Sequence, residues 1–139
     1  PLGGKERVEL RMKGGALSPK NRQRQALGRR GEDRAAAFLL AKGYVCLARN
    51  WRCKAGEIDL VVQKDGDIRF VEVKTRRSMT YGGPEEAITA VKLRHMREAA
   101  EAWLEAWDGP IPRSYQVDVI TLFKPEMPDE ELLWIEQVL

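Results

Sequence analysis

The chain has few of the residues that staple small proteins together. Its 139 residues hold two cysteines, Cys46 and Cys53, and one histidine, His95. Two cysteines build no disulfide framework and complete no structural zinc site. Free thiols in a reducing compartment are the expectation. No apolar run approaches the ~18 residues of a transmembrane helix, and the N-terminus has no apolar signal region. The sequence therefore points to a cytoplasmic protein without a membrane segment. Hydrophobic residues make up 43% and charged residues 32%, enough apolar material for one globular domain with its own core.

Charge is unevenly spread. Residues 1–31 carry nine Lys/Arg against two Glu, a local charge of +7 within a total of +3, so the remainder is net acidic. Residues 1–27 show no sustained period and are expected to form a flexible basic arm, with a single domain over 28–139. Such an arm either neutralises nucleic-acid phosphates or is a solvated tail. Periodicity then predicts a helix over 29–42 stopped by Gly43, strands over 44–51, 57–63 and 68–75, and a Gly-rich loop over 76–84. A long amphipathic helix over 85–107 follows, with Ile88, Val91, Met96, Ala99, Ala100, Trp103 and Trp107 on one face. A strand over 115–123 and a short one over 132–138 complete the order.

Acidic residues interrupt two of these strands, at Asp59 in Gly56-Glu57-Ile58-Asp59-Leu60 and at Glu72 in Phe70-Val71-Glu72-Val73-Lys74. A carboxylate in an apolar run is costly to bury unless it is paired or binds a metal. The two runs flank Asp65-Gly66, a strong hairpin signal. With those two as the central turn residues, Asp59 lies opposite Glu72 and Glu57 opposite Lys74, all on one face. With the turn shifted by one, Asp59 faces Lys74 and is diagonal to Glu72. A three-residue loop would break this parity. Opposed carboxylates repel and resist joint ionisation. A hard cation such as Mg²⁺ resolves both problems, using one or two carboxylates with water and phosphate. Asp59 and Glu72 are thus candidate metal ligands, and Lys74 a candidate to support charge on a scissile phosphate. The competing reading is a solvated polar face on which Lys74 neutralises Glu72.

Glu32 tops the helical stripe 32, 35, 36, 39 and 40, and suits a third acidic ligand or a residue that positions water; helix-dipole stabilisation is the alternative. Arg49, Arg76 and Arg77 flank the acids as phosphate contacts or solvated charge. Asp118, inside its own strand, is expected to pair with an arginine. His95 and Trp51 are read as structural, and Trp103 and Trp107 as helix core.

Taken together, Gly28-Arg29-Arg30-Gly31-Glu32, Arg49-Asn50-Trp51-Arg52, Gly56-Glu57-Ile58-Asp59-Leu60, Phe70-Val71-Glu72-Val73-Lys74-Thr75-Arg76 and Tyr81-Gly82 resemble the bacterial YraN-like family. That family sits in the PD-(D/E)XK nuclease superfamily, near the Holliday-junction resolvases. The resemblance runs from about residue 28 to residue 123. It implies an α/β fold with a restriction-endonuclease-like core, a mixed β-sheet flanked by helices in the order α-β-β-β-α-β. It implies Mg²⁺ or Mn²⁺ as cofactor, duplex or branched DNA as partner, and a two-fold homodimer. It gives Asp59 and Glu72 the metal, Lys74 the motif lysine, Glu32 the helical acid and Lys92 a further basic position. Gly56-Glu57-Ile58 departs from the pattern, which has a proline before the aspartate. Endonuclease activity is the function implied; a binding module on the same fold that does not cleave is the alternative.

Overall fold

The computed structural model describes residues 18–77 and 89–139. Residues 1–17 of the arm proposed over 1–27, most of the Gly-rich loop and the expected first turn of the second helix lie outside these residues.

Helix α1 spans Pro19–Ala41, starting ten residues before the helix that periodicity predicts. The reason is local. Ser18 caps it, its hydroxyl accepting from the Asn21 N–H at 3.1 Å, and Pro19 follows at a position where no N–H is needed. Residues 19–27, assigned to the arm from sequence, are therefore helical. At the other end Gly43 takes φ +96°. Its N–H donates to Leu40 O at 3.0 Å and the Tyr44 N–H to Leu39 O at 3.1 Å, the paired bonds of a Schellman stop. The buried stripe is Gly31, Ala35 and Leu39, one residue round from the predicted one, and Leu40 is 68% exposed.

Strands β1 (Val45–Cys53), β2 (Gly56–Lys64) and β3 (Asp67–Arg76) form an antiparallel meander. Helix α2 (Ala90–Ala106), capped by Thr89, carries the chain across to β4 (Ser114–Phe123), which pairs parallel with β3. β5 (Glu131–Ile135) closes the sheet antiparallel to β4. The result is a five-stranded mixed sheet in the order β1-β2-β3-β4-β5, with the element order α-β-β-β-α-β-β.

Each face of the sheet is covered by one helix. Ala35 and Leu39 of α1 pack on Leu60, Val62, Val71, Ile120 and Leu122. Ala99, Ala100 and Trp103 of α2 pack on Val61, Ile68, Phe70 and Val117. Trp103 stacks on Trp107 with centroids 4.9 Å apart. Val91, expected on this stripe, is instead exposed. β4 is buried from Val117 to Phe123, as a strand covered on both faces should be. Its one acid, Asp118, is fully buried. It accepts from Arg69 at 3.1 Å, Gln116 at 2.9 Å, Trp134 at 2.9 Å and the Gln137 N–H at 2.8 Å, so the expected arginine pairing holds. Both cysteines are free thiols. Among the described residues no helix is long and apolar enough to cross a membrane.

Candidate active site

The β2–β3 hairpin turns on Asp65 and Gly66, at φ 53° and 82°, the left-handed pair that a two-residue turn of this kind requires. The register follows: Lys64 faces Asp67 and Leu60 faces Val71. The paired ladder ends there, and the next positions along it are Asp59 and Glu72. Ile58 joins Val61 in the α2-side core while Leu60 lies in the α1-side core. Strict alternation is therefore broken at Asp59. The Val73 N–H donates to Asp59 Oδ2 at 2.8 Å. The acid thus sits where two strands part.

Glu32 arrives from α1 because of its neighbour. A Cβ on Gly31 would stand 1.9 Å from Thr75 Oγ1, so only glycine lets the helix lie this close to β3. The Glu32 side chain is 19% exposed and 3.9 Å from Arg49. Burial raises its pKa, with Asn50 and Arg49 opposing.

Electrostatics converge on Asp59. Burial above all, then Glu72, pushes its carboxyl up to about 7, against the lowering effect of the Val73 N–H; Glu32 and Glu57 add to the rise. Lys74, half-buried two residues beyond Glu72, is lowered by burial first and then by Lys92, while Glu72 works the other way. Lys92 Nζ lies 3.2 Å from Glu72 Oε1. Glu72 thus already holds one cation, Lys92 of α2, and among the described residues Asp59 has no ion pair of its own.

Of the residues proposed from sequence, Glu32, Asp59, Glu72, Lys74, Arg76 and Arg77 line one open cleft of ≈ 1020 Å³. Lys92 lines a smaller pocket of ≈ 240 Å³ with Glu57, Asp59, Glu72 and His95, so the acidic pair is reached from two sides. Arg49 does not line the cleft. Its guanidinium is 2.8 Å from Asp33, and its charge is used between strand and helix. Lys20, Gln23 and Arg24 also line the cleft; from sequence they belong to the basic arm and not to the site. The Ser18-Pro19 pair was the signal that could have found them, because it starts the helix that carries them.

Among the described residues no group of three or more His, Cys, Asp or Glu is arranged to hold a metal ion. Glu32 is therefore not placed as a third ligand. Asp59 and Glu72 remain as a two-carboxylate set lining the same cleft, with the Asp59 carboxyl raised by burial first and by Glu72 second. That donor set fits a hard divalent ion that takes one or two carboxylates and fills its shell with water and phosphate oxygens.

A five-stranded mixed sheet covered on each face by one helix, with Asp59, Glu72 and Lys74 lining one cleft, defines a mixed α/β protein. The family profile described as "Uncharacterised protein family UPF0102" matches residues 31–122. The chain belongs to that family, the YraN family, which lies within the PD-(D/E)XK nuclease-like superfamily. It is 47% identical over 103 residues to a UPF0102 protein of a Nocardioides species, covering 73% of this chain and 82% of the relative. It is 47% identical over 103 residues to one from Streptomyces griseus, covering 73% and 86%. A relative from Caldicellulosiruptor saccharolyticus is 41% identical over 113 residues, covering 79% and 95%.

Proposed function

We propose that this protein is a divalent-metal-dependent endonuclease that hydrolyses phosphodiester bonds in DNA, with branched or repair-intermediate DNA as the favoured substrate. One observation carries the reading: Asp59 and Glu72 converge at the splayed end of the hairpin, and burial beside Glu72 raises the Asp59 carboxyl to about 7. A pair so arranged is relieved by a cation.

Asp59 and Glu72 would hold Mg²⁺ or Mn²⁺. When bound, the metal supplies Lewis-acid polarisation of a phosphoryl oxygen and a lowered water pKa. The chain's own residues do the rest. The Val73 N–H fixes one Asp59 oxygen and so orients the other. Lys74, partly desolvated, lines the cleft and would stabilise the negative charge that grows on the phosphate. Glu32, with its pKa raised by burial, is able to hold a water or exchange a proton with it inside the cleft.

A second reading rests on a different observation. Lys92 already pairs with Glu72 at 3.2 Å, which suits a binding module that keeps its acids neutralised and does not cleave. The test is cleavage of duplex, single-stranded and four-way-junction DNA with and without Mg²⁺ or Mn²⁺, beside Asp59→Ala and Lys74→Ala. Metal-dependent cleavage abolished by Asp59→Ala supports the endonuclease. Cleavage unchanged in both variants points to a contaminant and sinks it. DNA binding without metal and without cleavage favours the second reading.

A further inference from the structure

The first turns of α1 form an electropositive wall that leads to the acidic pair. Lys20, Gln23, Arg24, Leu27 and Gly28 all line the cleft. They recur at helical spacings of three and four, so one stripe of the helix faces it. The same stripe, one turn on from Gly28, delivers Glu32 to the same cleft. Arg76, at the end of β3, and Arg77, just past it, line the same cleft, and Arg77 donates to Gln23 Oε1 at 3.5 Å. The four cations Lys20, Arg24, Arg76 and Arg77 are exposed, whereas Glu72 and Glu32 are only 16% and 19% exposed at the side chain. Positive charge therefore rims the cleft and carboxylates occupy its floor.

That layering suits an extended polyanion whose phosphates ride on the rim while one of them reaches the floor. Neutral or cationic partners would gain nothing from the rim. The described side chains that line the cleft are charged, polar or aliphatic, with no aromatic among them, and the cations suit the phosphates of a backbone. From Lys20 to Glu32 the helix rises about 1.5 Å per residue, or roughly 18 Å, which matches about five nucleotides of one B-form strand at 3.4 Å each.

We infer that the N-terminal turns of α1, through Lys20 and Arg24, bind the sugar-phosphate backbone of a nucleic acid strand and feed it, without sequence preference, toward Asp59 and Glu72. The inference rests on reading the acidic pair as a phosphodiester site. Its test separates the two.

Binding is measured by fluorescence anisotropy of labelled single-stranded, duplex and four-way-junction DNA in EDTA, where no metal-dependent cleavage occurs, over a series of salt concentrations. The variants are Lys20→Ala/Arg24→Ala and, as a control of equal charge, Arg94→Ala/Arg97→Ala on α2, whose side chains are exposed and line neither opening to the acids. Alanine favours helix at all four positions, and circular dichroism confirms that helix content is kept. Loss of two phosphate contacts should lower the slope of log affinity against log salt by about 1.8 on duplex or about 1.4 on single strands, with the α2 control keeping the wild-type slope. An equal drop in the control, no drop in either, or no binding of any DNA form by the wild type overturns the inference. A slope change without wild-type cleavage in Mg²⁺ or Mn²⁺ leaves the wall standing and removes the endonuclease. Cleavage with an unaltered slope does the reverse.

Discussion

Asp59→Asn should make the metal-free protein more stable above neutral pH and leave it little changed in acid. In the folded chain the carboxyl is pushed from its ordinary 3.8 to about 7, so between those values the native state holds a proton that the unfolded chain has released. Stability conferred by that proton falls as pH rises through the window and is fully lost above about 7. Each pH unit of separation corresponds to about 1.4 kcal/mol, which puts the whole loss at about 4 kcal/mol. Because Glu72 is the second cause of the rise, that figure is a ceiling belonging to the pair. Asparagine keeps an oxygen for the Val73 N–H and has no charge to bury. The assay is urea unfolding in EDTA from about pH 4 to about pH 8, with the stability gap between variant and wild type widening by a few kcal/mol. Added Mg²⁺ or Mn²⁺ should narrow the gap for the wild type alone, since a ligand that binds only the native state stabilises it. Parallel pH curves for the two proteins would refute the reasoning, because they would mean that Asp59 carries no native-state penalty on ionising.

Gly31→Ala should destabilise the fold by about 1–3 kcal/mol in urea titrations despite its helix-propensity gain of roughly 1 kcal/mol, because the new methyl meets Thr75; Thr75→Ala should restore part of the loss, and no restoration would place the clash elsewhere. Lys92→Gln releases Glu72 from its 3.2 Å ion pair and should tighten Mn²⁺ binding several-fold in calorimetry, whereas weaker binding would show that Lys92 supports the site instead of competing with the cation. Asp118→Asn turns an acceptor of four hydrogen bonds into a group with donors of its own beside a half-desolvated Arg69, and should cost about 3–5 kcal/mol, read as a fall in thermal midpoint; a shift near zero would mean that the C-terminal segment and Arg69 are held without it.

The parts of this protein that could be read from its residues are those set within one hairpin or one helix end. Asp65-Gly66 dictates a two-residue turn, the turn dictates the register, and the register brings Asp59 and Glu72 to adjacent ends of the ladder. Gly43 stops α1 for the same kind of reason. The start of α1 is equally local, in Ser18-Pro19, but the missing periodicity and the Gly, Pro, Lys and Arg content of this stretch point to an arm, with the cap left out of account. Leu40 and Val91 lie outside the core because a period of 3.6 leaves the edge of an apolar stripe undecided by a residue. Other features depend on contacts between elements and have no local signature. Arg49 is held by Asp33 across the strand–helix gap, and Gly31 is required only because Thr75 stands against it. The break in alternation at Asp59 has a different origin. Period-two reasoning treats Ile58, Asp59 and Leu60 as a plain strand, yet Ile58 packs on the α2 side with Val61, which leaves Asp59 to the space between the strands. A sequence that obeyed the strand pattern would have no acid there and no reason to splay. The position where the local rule fails is the position where two carboxylates can share a cation, which is the conflict expected when a fold gives up local consistency for a site.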